Sequence, residues 1–185
     1  MLESRFHGLG GQGVVLTTHL LGSAALKAGM WAHSFPFFTT AMRGGMVTAY
    51  ARIAKFAIDE RCFIYTPDIL ILFHENLLQV DDVINGIKPN GNILVNTDKN
   101  ILKRPAGFEG NLFLVDARKI AEITLGRPVF STVMAGAFIN VQDMVTIDLL
   151  YEAINENFNT KLASVNRKAA EQGHVNTSKM IRSTS

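Results

Sequence analysis

The chain has a single cysteine, Cys62, and not one acidic residue from Ser4 through Ile58. A lone thiol excludes an internal disulfide framework and any cysteine-ligated cluster held by this chain alone, and it fits a reducing, cytoplasmic setting. No apolar run approaches the roughly 20 residues that a membrane-spanning helix needs. The N-terminus lacks a basic region followed by an apolar core and a small-residue cleavage site, so the reading is neither exported nor membrane-bound. The net charge is only +2 over 185 residues, and no basic stripe is interleaved with aromatics, so nucleic acid is not an expected partner. Also missing are a G-x-S-x-G elbow, an H-E-x-x-H pair and any spaced set of histidines and carboxylates that reads as a metal site.

What the chain has in quantity is apolar side chain. A hydrophobic content of 48 % and a mean hydropathy of +0.17 are high for a small soluble monomer. They favour a subunit whose surface is covered by partners, although a large sheet buried on both faces raises them too. The length suits one well-buried α/β domain.

Short apolar runs alternate with segments of helical period, the pattern of a three-layer, Rossmann-like α/β fold with a mostly parallel sheet and helices on both faces. Arg5 to His7 reads as the end of a first strand, and Gln12 to Ala28 as a helix closed by Gly29. Trp31 to Phe35 reads as a strand stopped by Pro36, followed by a loop from Phe37 to Gly45 and a strand from Met46 to Ile53. Ile69 to Phe73 is a central buried strand. Leu77, Val80, Ile84 and Ile87 repeat at helical spacing and predict one amphipathic helix with Asp81 and Asp82 outward. Ile93 to Val95 and Leu112 to Val115 are further strands, making five or six. Helices are expected at Ala117 to Leu125, at Val133 to Val141 and along Ile147, Leu150, Tyr151, Ile154 and Phe158, with a weaker one on Leu162, Val165 and Ala169. Residues 1–173 read as a single domain and 174–185 as a polar tail, mobile or partner-binding.

The run Gly8-Leu9-Gly10-Gly11-Gln12-Gly13 sits between the first strand and the first helix. Glycines there let backbone N–H groups close on a phosphate at a helix N-terminus, but the same pattern also serves a tight turn needed only for packing. A dinucleotide-binding fold would place an acidic residue about 20 positions on, to hold the ribose. None is present. The acid-free stretch, with Arg5, Lys27, Arg43, Arg52 and Lys55, fits an anionic, phosphate-bearing ligand, or simply a buried segment. Arg43, between a loop and Gly44-Gly45, has the fork to reach a phosphate or carboxylate, or to pair with a carboxylate on a partner subunit. His74-Glu75 follows the central strand and is a candidate functional pair without a third member. Phe35, Phe37 and Phe38 read as core, interface or cofactor clamp. Asp98, Lys99, Lys103 and Arg104 read as a solvated connection.

Taken in order, Arg5-Phe6-His7-Gly8-Leu9-Gly10-Gly11-Gln12-Gly13, Ser34-Phe35-Pro36-Phe37-Phe38, Arg43-Gly44, Pro67-Asp68, Leu77-Leu78, Gly91-Asn92-Ile93-Leu94-Val95-Asn96-Thr97 and Val115-Asp116-Ala117 resemble the gamma subunit of 2-oxoacid:acceptor oxidoreductases, the pyruvate:ferredoxin oxidoreductase group. Asn166, Ala169 and Gly173 also sit as in that family's closing helix, so the resemblance runs from Arg5 to Gly173. It implies a non-catalytic subunit of an enzyme that oxidatively decarboxylates a 2-oxo acid to an acyl-CoA. Thiamine diphosphate, magnesium and iron–sulfur clusters would lie on the alpha, beta and delta-type partner subunits. Electrons would pass to ferredoxin or another acceptor. This chain would hold no cofactor of its own and would shape the approach of coenzyme A, with Gly8, Gly10, Gly11, Gln12, Gly13 and Arg43 as the binding residues.

Two departures stand out. The family's Glu-Arg pair after the F-P-x-x segment is replaced by Ala41-Met42, and His74 stands where Asp is expected. The more apolar loop points to a bulkier or aromatic 2-oxo acid. Two other readings stay open on the residues alone: a stand-alone Rossmann-type nucleotide-binding protein or reductase, and a structural subunit whose glycine loop binds nothing.

Overall fold

The structure, a computed structural model, describes residues 1–38 and 45–180. β1 (Leu2–Leu9), β2 (Trp31–Phe38), β3 (Met46–Ala54), β4 (Ile69–Leu72), β5 (Asn92–Asn96), β6 (Asn111–Val115) and β7 (Ser178–Lys179) form one sheet in the order β2-β3-β1-β4-β5-β6-β7. β1, β4, β5 and β6 are mutually parallel neighbours, whereas β3 runs antiparallel to both β1 and β2, and β7 antiparallel to β6. Five strands therefore share one direction, and the α/β class read from the sequence holds.

One face of the sheet carries α1 (Val14–Lys27), α3 (Ala117–Leu125), α4 (Ser131–Val141), α5 (Ile147–Asn157) and α6 (Thr160–Asn176). Phe6, Ile69, Ile71, Phe73, Leu94 and Val115 point into this layer. α4 is buried on all sides except at Asn140, which explains its lack of an apolar stripe. α6 crosses it at backbone distance. A Cβ on Gly136 would stand 1.9 Å from the Ala170 carbonyl oxygen, and one on Gly173 would stand 2.1 Å from that of Val133. This closeness corrects the expected face of α6. Small residues and Asn166 are inside, and Leu162 and Val165, read as its core stripe, are 40 % and 37 % exposed because no large side chain fits the crossing.

The other face is covered thinly. Leu70, Leu72, Ile93, Val95, Leu112 and Leu114 pack under Leu78, Val83 and Phe108, which come from short turns and loops. The single amphipathic helix expected from Leu77 to Ile87 is instead a 3-10 turn, Glu75–Gln79, and a one-turn α2, Asp81–Ile84, broken at Val80 in extended conformation. Arg5 accounts for the stop of α2 at Ile84. Its guanidinium bonds the carbonyls of Val83 and Asn85 at 2.8 and 2.7 Å, groups that a continuing helix would have offered to its own N–H donors. Gly86, at φ +81 and tight against the Tyr65 carbonyl, then turns the chain away.

Two boundaries also differ from the sequence reading. β2 continues through Pro36 to Phe38, because β2 is an edge strand and the missing N–H can face outward. At the other end α6 runs to Asn176, and Ser178–Lys179 pair with β6. Met180 anchors them, donating its N–H to the Leu112 carbonyl at 2.8 Å while its sulfur accepts from the Leu102 N–H. Of the polar stretch from residue 174, only 181–185 lie outside the described residues.

Candidate functional site

The carboxyl ends of β1, β4, β5 and β6 rise on the same edge of the sheet and bring together the glycine loop, His74-Glu75, Asn96 to Lys99, and Asp116 to Arg118. From β1 the chain goes to β2 and β3 on one side and returns to β4 on the other. A crevice opens at such a switch point in an open α/β sheet, and ligands bind there.

Each residue of the glycine loop has a distinct job. A Cβ on Gly8 would meet Val14, Gln12 and the Phe73 Cβ within 2.9 Å, and one on Gly13 would meet the Ser131 side chain at 2.6 Å, so close packing accounts for both. Gly13, at φ +89, is the left-handed N-cap of α1. Gly10 donates its N–H to the Gly45 carbonyl at 3.0 Å, which ties the glycine loop to the foot of the second loop. The Gln12 side-chain oxygen accepts from the Leu9 N–H at 2.7 Å, so it is spent on closing the loop. Gly11 differs from the others, because it needs glycine for its backbone (φ +90) yet nothing lies within 4 Å of where a Cβ would be. The N–H groups of Gly11, Gly13, Val14 and Val15 have no acceptor among the described residues, and α1 has neither a side-chain cap nor an acid in its first turn. The result is an open, anion-favouring helix N-terminus beside empty space. Arg43, Ala41 and Met42 lie outside the described residues.

Beneath the loop, His7 is buried, with Nδ1 at 3.2 Å from the Thr48 hydroxyl and Nε2 without a partner. Burial, helped by the charge of Arg5, pushes its pKa down to about 3 and keeps it neutral. Arg5 itself bonds four backbone carbonyls, of Ile64, Tyr65, Val83 and Asn85, and no carboxylate. It is a tie rather than a ligand arm.

The polar groups across the crevice are likewise committed to structure. Glu75 accepts from Lys99 and from the Thr97 hydroxyl, and these bonds, Lys99 foremost, hold its carboxyl below the usual carboxylate range. His74 Nδ1 accepts from the Asn76 N–H at 3.1 Å, and no hydrogen bond joins it to Glu75. The pair suspected from the sequence is therefore two separate anchors. Asn96 escaped the sequence reading as more than a strand end. Its amide donates to the Phe73 carbonyl and accepts from the Ala117 N–H, stitching β4 to the start of α3. Its signals were its place in the ordered Gly91 to Thr97 motif and its being a polar residue that closes an apolar strand. Together with Asp116 and Arg118 these groups line a cleft of about 220 Å³. A larger one, about 400 Å³ beside α2 and Arg104, lies away from the glycine loop. Among the described residues no group of three His, Cys, Asp or Glu could hold a metal ion.

The arrangement leaves an uncapped helix N-terminus beside the crevice and, among the described residues, no hydrogen-bonded pair of His74 with Glu75. Residues 3–175 match the family described as Pyruvate ferredoxin/flavodoxin oxidoreductase. The chain belongs to this family. It is 41 % identical over 175 residues to the pyruvate/ketoisovalerate oxidoreductases common subunit gamma of Thermococcus kodakarensis, covering 93 % of this chain and 95 % of the relative. The crystal structure of the pyruvate oxidoreductase subunit PORC from Thermotoga maritima superposes with a TM-score of 0.87 at 30 % identity, covering 97 % and 98 % of the two chains. The 2-oxoglutarate:ferredoxin oxidoreductase of Magnetococcus marinus shares the fold at a TM-score of 0.70 and 19 % identity, over 94 % of this chain and 30 % of its own. As a family member the chain is a gamma-type subunit of a 2-oxoacid:ferredoxin oxidoreductase, and its partners are the other subunits of that complex. The sheet explains why the stand-alone dinucleotide reading fails. The neighbour of β1 on the β2 side is the antiparallel β3, so no second parallel strand ends there to present a ribose-binding acid. No helix among the described residues is long and apolar enough to cross a membrane.

Proposed function

We propose that this chain seats the phosphate-bearing end of coenzyme A at the N-terminus of α1 in a cytoplasmic complex that converts a 2-oxo acid to an acyl-CoA. Thiamine diphosphate, magnesium and iron–sulfur clusters belong to the alpha, beta and delta-type partners, where they supply the decarboxylation and pass electrons to ferredoxin or another acceptor. The observation that carries the reading is the row of N–H donors at Gly11, Gly13, Val14 and Val15 that meet no acceptor among the described residues, with no described atom within 4 Å of where a Cβ on Gly11 would stand. Gly8 and Gly13 set the loop by packing, Gln12 closes it, and Gly10 ties it to Gly45, while Arg43 has the side-chain fork suited to a phosphate. The apolar Ala41-Met42 supports a bulkier or aromatic 2-oxo acid.

Gly11→Val tests the site in the assembled enzyme, because it disturbs the φ +90 turn without meeting any neighbour. The KM for coenzyme A is expected to rise at least tenfold while the KM for the 2-oxo acid stays put. Equal effects on both, or none, overturn the reading. Restoring Glu-Arg at positions 41 and 42 is expected to shift preference toward smaller 2-oxo acids, and unchanged preference removes that part.

A further inference from the structure

Gly13 brings together two helix starts. A Cβ there would stand 2.6 Å from the Ser131 Cβ and 3.1 Å from its Oγ, so the first residue of α4 lies against the N-cap of α1. α4 also runs the same way as α1. Its far end, Val141, accepts a hydrogen bond from the Asn92 amide at the start of β5, so its N-terminus faces the carboxyl edge of the sheet, where the crevice opens. The Thr17 hydroxyl, 3.0 Å from the carbonyl oxygens of both Gly13 and Ser131, fixes the spacing of the two starts. Neither start carries a counter-charge. Of the longer helices, α3 and α6 are capped by Asp116 and Asn159 and α5 has Asp148 in its first turn, whereas α1 and α4 have neither a side-chain cap nor an acid.

We infer that the start of α4 is the second half of the anion seat, and that the seat is built for a diphosphate rather than for a single phosphate or a carboxylate, which rests on the coenzyme A reading above. Three observations carry it. First, Ser131 is 2 % exposed, and its hydroxyl, against the N-cap of α1, has no hydrogen-bond partner among the described residues. A buried hydroxyl is costly unless something bonds it. Second, the N–H groups of Ser131, Thr132 and Val133 meet no acceptor among the described residues. The first turn of a helix directs such donors along its axis, here toward the crevice. Third, the side chains that flank these donors turn inward. Phe130 packs on Phe73 with centroids 5.9 Å apart, and the Thr132 hydroxyl bonds Asn166 at 3.0 Å. A single phosphate is served by one helix start. Two starts in contact, each with its own row of donors, match two linked phosphates that each carry negative charge. One phosphate takes the donors of Gly11, Gly13, Val14 and Val15, and the other takes the Ser131 hydroxyl and the N–H groups of Ser131 to Val133.

The test is the response of the assembled enzyme to three thiols: coenzyme A, dephospho-coenzyme A and 4′-phosphopantetheine, the last with one phosphate in place of the diphosphate. Ser131→Ala removes only the hydroxyl. The KM for coenzyme A and for dephospho-coenzyme A is expected to rise about tenfold, that for 4′-phosphopantetheine to change less than about twofold, and that for the 2-oxo acid to stay put. Because the lost hydroxyl has no partner in the chain, recovery of the complex and its melting temperature without coenzyme A are expected not to fall, whereas loss of a purely structural serine lowers them. An unchanged KM for coenzyme A overturns the inference, as does an equal rise for 4′-phosphopantetheine or a lowered melting temperature. Gly11→Val separates the two readings. If it raises the KM for coenzyme A and Ser131→Ala does not, α4 is excluded and the seat on α1 stands. If neither raises it, both readings fall, and if only Ser131→Ala does, the α1 reading falls and the shared seat with it.

Discussion

The two faces of the sheet are built on opposite principles. The helix face is closed by helices whose contacts are so tight that glycine is required at the α4–α6 crossing, and its core is mostly hydrocarbon, with the Thr132–Asn166 and Thr17–Ser131 bonds buried in it. The outer face has one short turn, a one-turn helix and loops, and toward β2 its side chains are Glu3, Arg5, His7, Thr48, Tyr50 and Arg52. These are held by bonds to backbone and to one another, such as the Arg52–Glu3 pair at 2.9 Å, rather than by packing alone. The difference teaches where this fold spends its rigidity: behind the sheet it is a scaffold, and in front it leaves room for something else to complete it.

The comparison breaks most readily on the helix side. Gly136→Leu drives a side chain into the Ala170 carbonyl and is expected to cost about 3 kcal/mol or more, read as a fall in the urea midpoint of the isolated chain. Arg5→Met, on the outer face, leaves the Val83 and Asn85 carbonyls without their donor. A loss of about 2 kcal/mol is expected, with new protease cleavage between residues 60 and 90. Cleavage elsewhere would show that Arg5 is not the tie.

The next effect is a pH dependence. His7 has its folded pKa pushed down to about 3 from 6.5, so its neutral burial is fully favourable above pH 6.5 and is eroded as the pH falls from 6.5 toward 3. Between pH 7 and pH 5 the chain is expected to lose about 2 kcal/mol from this group, and His7→Gln to flatten the slope over that window. An unchanged slope would place the acid sensitivity elsewhere. Smallest of all, Lys99→Ala removes an exposed partner of Glu75 and is expected to leave the melting temperature within error in 0.15 M salt.

The strand pattern was legible because the buried strands are short apolar runs bounded by Pro, Gly and Asn, and α3 begins and ends where Asp116 and Gly126 cap it. The ordered motifs made the family legible too. What local pattern missed was decided by distant partners. Arg5 stops the expected Leu77 to Ile87 helix at Ile84 from 78 residues away, and the α4–α6 crossing sorts α6 by side-chain size rather than by hydrophobicity. At the candidate site the glycines could be read but not their division of labour. Gly13 is fixed by Ser131 and Gly10 by Gly45, neither of which a window around the motif contains.

The packing of Gly13 on Ser131 also bears on the order of events in folding. The Thr17 hydroxyl donates to the Ser131 carbonyl across 114 residues of sequence. β1 is made before α4, yet the loop that follows β1 gains its packing partner only when α4, more than 100 residues on, has been made and has docked. Closing so long a segment is slow relative to local turns. A chain cut short before α4 therefore carries the glycine motif without the Ser131 contact and the Thr17 bond that pack it.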